Sequence, residues 1–189
     1  SAGQEDYALQ SVQLVGEWVR RGLLEAGDAG FRLRAGAEVE LPADIDRMWR
    51  TRVNTLLHGL RPDEVHGLEL AAVLGTTFAL SEWRNAATIA EASASPELVE
   101  RLLEQNLATR QGEGVIAFRH TMLREALERR GLESGRAAAL HRACATMLER
   151  RSDDRRGIAE RLGRHLLHAG QIVPALGKLL EGARERQRS

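Results

Sequence analysis

Residues 97–127 read ELVERLLEQNLATRQGEGVIAFRHTMLREAL, and the changes of period inside this stretch decide the fold. Ser95-Pro96-Glu97-Leu98 opens a helix that runs to about Leu107, because a small polar residue followed by proline suits a helix start. Two short runs, Leu107 to Arg110 and Val115 to Phe118, then flank the tight turn QGEG, which predicts a β-hairpin. From His120 to Arg130 the helical period returns, with Leu123, Ala126 and Leu127 on its apolar side. Arg119 and His120 stand where the second strand gives way to this helix.

Working outward, a helix over Pro62 to Leu74 ends at Gly75, and Ser81 is placed to cap a helix through about Ile89. Three helices followed by a hairpin is the order of a winged helix-turn-helix, assigned to residues 61–131. Residues 1–60 form a helical segment of their own. Tyr7, Leu9, Val12, Leu14, Val15, Trp18 and Val19 predict a helix over 6–21, closed by Gly22. The alternating runs Phe31/Leu33 and Val39/Leu41 predict a small hairpin near 23–41. Pro42 and Asp44 open a second helix holding Ile45, Met48, Trp49, Val53, Leu56 and Leu57. Downstream, Ser134 is read as the cap of a helix carrying Leu140, Cys144, Met147 and Leu148, and SDDRR interrupts before two more helices. There Ala159, Leu162, Gly163 and Leu166 precede Gly170, while Ala175, Leu179 and Gly182 follow it, the small-and-large spacing of one tetratricopeptide-type hairpin. A lone hairpin of that kind would need neighbours beyond Ser189 to cover its open face. Residues 132–189 are therefore a helical linker and hairpin, and the fold class is mainly α with a small β component.

At 189 residues the chain has room for one large or two small domains. Its 27 basic and 27 acidic residues cancel, so it lacks the overall charge of a polyanion binder. The charge is nonetheless uneven: residues 1–46 carry 9 acidic and 4 basic side chains, and residues 151–189 carry 5 acidic and 9 basic. Such ends form solvated faces or contact each other or neighbours. A single cysteine, Cys144, excludes an internal disulfide and fits a reducing compartment. Without an apolar run near 18 residues or a cleavable leader pattern, the chain reads as cytoplasmic, with no membrane partner.

Motifs of chemistry are missing: no phosphate-binding G-x-x-x-x-G-K-[ST], no G-x-G-x-x-G, no G-x-S-x-G, no H-E-x-x-H and no paired cysteines. No catalytic residue, metal set or cofactor is therefore assigned to this chain. RLGRHLLH places His165 and His168 at i and i+3 beside Arg161 and Arg164, but no Cys, Asp or Glu joins them at ligand spacing, and they read as packed or solvated helix histidines. Cys144 lies on an apolar face and reads as core rather than nucleophile. The alternative function is a winged-helix DNA-binding regulator. Against it, the third helix carries Glu97, Glu100 and Glu104 with only Arg101, and the wing offers Arg110, Glu113 and Arg119, whereas DNA affinity comes largely from neutralising phosphates.

LELAAVLGTTFALSEW, the stretch quoted at the opening, LHRACATMLERR and AERLGRHLLHAGQIVPALGKLLEGA together resemble the segment after the nucleotide-binding core in STAND-type signalling ATPases. These are bacterial multidomain regulators in which an AAA-like ATPase, often joined to a Ser/Thr protein kinase, an adenylate cyclase or a LuxR-type output domain, precedes winged-helix and tetratricopeptide regions. The resemblance covers nearly the whole chain, is strongest at AAVLG and FRHTMLREAL, and makes residues 1–60 similar to the helical lid. It implies a non-catalytic regulatory segment that couples nucleotide state to sensor repeats. Its partners would be the upstream nucleotide-binding core and the downstream helical repeats, with ATP or ADP bound by the parent protein.

Related regulators set a winged-helix histidine, in an F-x-H-type stretch, against the nucleotide phosphates, and His120 in FRH occupies the matching position. The resemblance thus implies a phosphate contact by His120 in the parent, assisted by the positive end of the helix that follows. Arg119 and Arg124 would assist as well, or instead pair with Glu125 and Glu128 on the surface. The other reading of His120 is a helix cap or a residue packed at the corner. The Walker lysine and loop are absent, so this chain has no nucleotide site of the family kind by itself. The Gly-x-Pro-type stretch of the lid is also not evident in GQEDYALQ.

Overall fold

The computed structural model describes residues 24–27, 30–33, 43–151 and 157–187. The chain divides into two compact units, Ser1–Met48 and Trp49–Ser189. In the first, β1 (Leu24–Gly27) and β2 (Gly30–Leu33) form an antiparallel hairpin in which Leu24 opposes Leu33 and Gly27 opposes Gly30. The hairpin expected near 23–41 is thus present. Its second strand contains Phe31 and Leu33 as read, but the partner is Leu24–Gly27 rather than the run at Val39 and Leu41. Val39 and Leu41, and the helix expected over 6–21, lie outside the described residues.

α1 (Ala43–Leu57) supplies Trp49, Val53, Leu56 and Leu57 to the core of the second unit. α2 (Pro62–Leu74) is the centre of that core. Proline at its first position is preset for helix, and the Glu64 carboxylate accepts the Arg61 N–H at 2.8 Å, satisfying a donor the first turn leaves open. From Gly67 to Leu74 every residue of α2 is buried, so this helix is enclosed rather than amphipathic. β3 (Thr77–Ala79), α3 (Leu80–Ile89) and α4 (Pro96–Glu104) follow, then β4 (Ala108–Arg110) and β5 (Val115–Phe118). The sheet is antiparallel with order β3-β5-β4: Phe78 opposes Ile116 on one side of β5, and Thr109 opposes Ala117 on the other.

The strand β3 was not expected. Its pairing sets the start of α3, because the Leu80 N–H donates to the Gly114 carbonyl at 2.8 Å, so the helix begins at Leu80 and Ser81 lies in its first turn instead of capping it. Phe78 bridges sheet and helices, edge-on to Trp83 at 5.7 Å and tilted against Phe118 at 5.6 Å. Edge and tilted packings suit the ring quadrupoles better than a face-to-face sandwich. The indole N–H of the fully buried Trp83 donates to the Gly67 carbonyl at 2.8 Å.

α5 (Thr121–Glu133) buries Leu123 and Leu127, and α6 (Ala137–Glu149) buries Leu140, Cys144, Met147 and Leu148. Ser134 belongs to the end of α5 and does not cap α6: its hydroxyl donates to the Arg130 carbonyl at 2.8 Å, and Arg136 is the residue before α6. Gly135, at φ +73°, turns the chain there in a conformation that a side chain disfavours. α7 (Ile158–His168) and α8 (Ile172–Gln187) form an antiparallel hairpin around Gly170. The two helices touch through glycines. A Cβ on Gly163 would lie 2.8 Å from Leu179 Cγ, and one on Gly182 would lie 2.9 Å from the Glu160 backbone nitrogen. The outer side of α8 exposes Ile172, Val173, Leu176 and Leu180. The chain is therefore mainly helical, with a three-stranded antiparallel sheet in its second unit.

Candidate functional site

β5 delivers Phe118 to the core and Arg119 and His120 to the corner. His120 has extended backbone and is the residue before α5; its carbonyl accepts the Leu123 N–H at 3.1 Å, while its side chain makes no cap hydrogen bond. The cap reading is thus met by its backbone alone. Its half-buried ring instead leans on the buried indole of Trp49, with centroids 5.2 Å apart and planes tilted by 48°. Side chains alternate in extended backbone, and Arg119 turns to Asn106, donating to its Oδ1 at 3.1 Å. Arg119 is held further by its backbone, whose N–H donates to the Leu107 carbonyl at 2.9 Å.

The residue that joins His120 is Arg52, which the sequence did not single out. Its guanidinium lies 5.7 Å from the centroid of the Trp49 ring. Burial, then the charges of Arg52 and Arg119, holds the His120 imidazole below its ordinary pKa. At neutral pH the corner therefore combines a neutral ring, the Arg52 guanidinium and the N-terminal end of α5, with the charge of Arg119 close by. Each of these elements is complementary to an anion. Arg124 does not join them. It donates to Glu128 at 2.7 Å and lies 3.9 Å from Glu125, as the surface-pair reading had it.

The histidines of RLGRHLLH are brought together with a third that no local spacing indicated. His141 Nδ1 and His165 Nδ1 are 3.0 Å apart in a buried hydrogen bond, and the exposed His168 stacks on His141 at 4.7 Å and 23°. Their neighbours Arg161 and Arg164 face elsewhere, Arg161 to Glu82 and Arg164 to Glu160. Among the described residues no group of three or more His, Cys, Asp or Glu side chains could hold a metal ion. Cys144 is buried, and desolvation pushes its thiol up to about 12, so it remains a protonated core side chain.

Two cations expected to face a polyanion are engaged within the chain: Arg110 with Glu100, and Arg101 with the His58 carbonyl at 2.6 Å. No described helix is long and apolar enough to cross a membrane. A comparison with protein-family models, with curated proteins and with solved structures finds no match to the chain.

Proposed function

We propose that this chain is a non-catalytic regulatory segment of a multidomain signal-transduction ATPase of the STAND type, coupling nucleotide state in an upstream core to a downstream repeat region. Kinase-bearing regulators of this type are the parents we favour, and the compartment is the cytoplasm. In this reading residues 61–131 are the winged helix-turn-helix, supported by the helix–strand–helix–helix–strand–strand order and by the central place of β5 in its sheet. The α7–α8 pair is the first tetratricopeptide-like hairpin, supported by its glycine contacts at Gly163 and Gly182. The apolar outer side of α8 suits the next helix of an array.

The observation that carries the proposal is the corner at His120. An imidazole kept neutral by burial and by the charges of Arg52 and Arg119 carries one ring N–H, the kind of group that donates to a phosphate oxygen. It does so at the one junction where the sheet passes directly into the helices leading to the hairpin. In the parent protein, His120→Ala is expected to weaken ADP retention about tenfold or more, since a hydrogen bond to a charged group contributes roughly 1.5–3 kcal/mol. Dissociation of a fluorescent ADP analogue measures this, and unchanged retention returns His120 to a packing role against Trp49.

The DNA-binding alternative is disfavoured by the acidic exposed side of α4 and by the Arg110–Glu100 pair. Fluorescence anisotropy with random duplex DNA at low salt is expected to show no binding, because the exposed Glu97, Glu100 and Glu104 of α4 would face the phosphates. Saturable binding there would reverse the order of the two readings.

A further inference from the structure

Three histidines meet where α7 packs on α6, and the switch reading above makes no use of them. His141 and His165, both buried, share one hydrogen bond between their Nδ1 atoms at 3.0 Å. That contact needs one N–H donor and one lone pair, so a doubly protonated pair would oppose two N–H groups. Among the described residues, the charged and titratable groups around the pair are Glu82 from α3, Cys144 from α6, Arg151 beyond the end of α6, and Arg161 and His168 from α7. Glu82, the carboxylate among them, already receives both Arg151 and Arg161. A second imidazolium would therefore enter a buried seam whose carboxylate, though it favours a charge on His165, already answers two guanidinium groups.

We propose that this seam is a proton-sensitive latch: protonation of His141 and His165 releases the α7–α8 hairpin from α6 while the helices and sheet from α2 to α5 stay folded. The latch lies at the attachment of the hairpin, where the histidine pair and the Glu82–Arg161 pair run from α7 to α6 and α3 on a helix that also buries Ala159, Leu162 and Leu166. Release separates these from α6 and α3, giving each imidazole water in place of its partner.

The direction follows from proton binding. Burial first, then neighbouring positive charge, holds His141 at about 3 and His165 at about 4 in the closed form. In the open form both return towards the ordinary value near 6.5. Between those values the open form binds more protons, so opening grows as pH falls below about 6.5, and the closed form is fully favoured above it. Lowering the pH to 5.5 raises the opening constant about tenfold per histidine, and up to about a hundredfold for both. Arg161 and Arg151 hold the Glu82 carboxyl below its usual range despite burial, so it stays ionised across this window and the imidazoles alone respond.

Cys144 supplies the readout, being the single cysteine of the chain, fully buried, and close enough to Arg161 and Glu82 to feel their charges. The rate of disulfide exchange with excess dithiodipyridine is measured on the 189-residue protein and divided by the rate for the urea-unfolded chain at the same pH, which removes the thiol's own ionisation. This ratio is expected to rise at least about tenfold from pH 7.5 to 5.5, while amide-exchange protection of α2 to α5, corrected for intrinsic rates, stays within about threefold. In the His141→Gln/His165→Gln variant the rise should shrink below about threefold. A ratio that does not change with pH overturns the proposal. So does an equal loss of protection in α2 to α5, which would mean global unfolding. If the double variant fails to fold by circular dichroism, the wild-type comparison of Cys144 against α2 to α5 decides alone; a folded variant with the wild-type rise also overturns the latch.

Discussion

Gly67→Ala is expected to destabilise the Trp49–Ser189 unit by about 4 kcal/mol or more and to lower its Tm by roughly 10 °C. A Cβ at Gly67 would stand 1.7 Å from the Ser93 carbonyl oxygen and 2.8 Å from its carbonyl carbon. Both are backbone atoms, so no rotamer change relieves the overlap. Neither side of the crossing can retreat cheaply. The Ser93 N–H donates to the Asp63 carbonyl at 2.9 Å, tying the loop after α3 to the first turn of α2, and the Trp83 indole N–H holds the Gly67 carbonyl at 2.8 Å. Separating the two segments would strand the buried indole N–H and open space around Leu98, whose Cδ1 would lie 3.6 Å from the added carbon. Thermal unfolding followed by tryptophan fluorescence reads the change. Gly177→Ala is the control, since nothing lies within 4 Å of a Cβ there and alanine favours helix, by up to about 1 kcal/mol. Equal melting temperatures for Gly67→Ala and the parent sequence would show that the crossing is looser than described.

The second large effect is at Glu69. This carboxylate is fully buried in the apolar run of α2, and Arg136 grips it with Nε at 2.9 Å and a terminal nitrogen at 2.7 Å, with Arg130 at 3.5 Å. The fork geometry suits a planar bidentate pair, and the contact raises the Arg136 pKa above its ordinary value. Glu69→Ala removes the acceptor and leaves a partly buried guanidinium beside a new void, at a cost of about 3 kcal/mol. The pair also fastens the start of α6 to α2, so amide protection at the N-terminal turn of α6 should fall first. A double-mutant cycle with Arg136→Ala isolates the pairing. Coupling near zero would leave Glu69 as a packing residue only, whereas about 1.5 kcal/mol or more is expected.

Neither site stands out locally. Gly67 sits in PDEVHGLELAAVLG as one more helical glycine, and nothing near it announces that Ser93 will cross it. Glu69 carries a fainter signal: a carboxylate amid Leu68, Leu70, Ala71 and Ala72 has apolar neighbours on every side of the helix, which calls for a buried partner. The identity of that partner, 67 residues away, is not written nearby. His120 was legible as a corner residue because the period changes from strand to helix at that position. Its contact with Trp49 and its nearness to Arg52 were not, since both come from a helix some seventy residues earlier. Local spacing leaves His165 either packed or solvated and gives no sign of His141, the partner that decides for packing.

What the sequence determined by itself is the set of elements whose causes are local. Pro62 and Pro96 start α2 and α4, Gly75 ends α2, QGEG turns β4 into β5, and helical periodicity carries α5, α6, α7 and α8. In each the deciding interactions lie within a few residues, where chain closure costs little entropy. The tertiary structure alone decided the rest. β3 is a strand because β5 lies beside it, not because three residues favour one; α3 starts at Leu80 because Gly114 accepts its first N–H; Glu82 is a junction because Arg151 arrives from just beyond α6 and Arg161 from α7. Those contacts span tens of residues, and closing such loops is repaid only when the whole core forms around them, so no short window of sequence contains their cause.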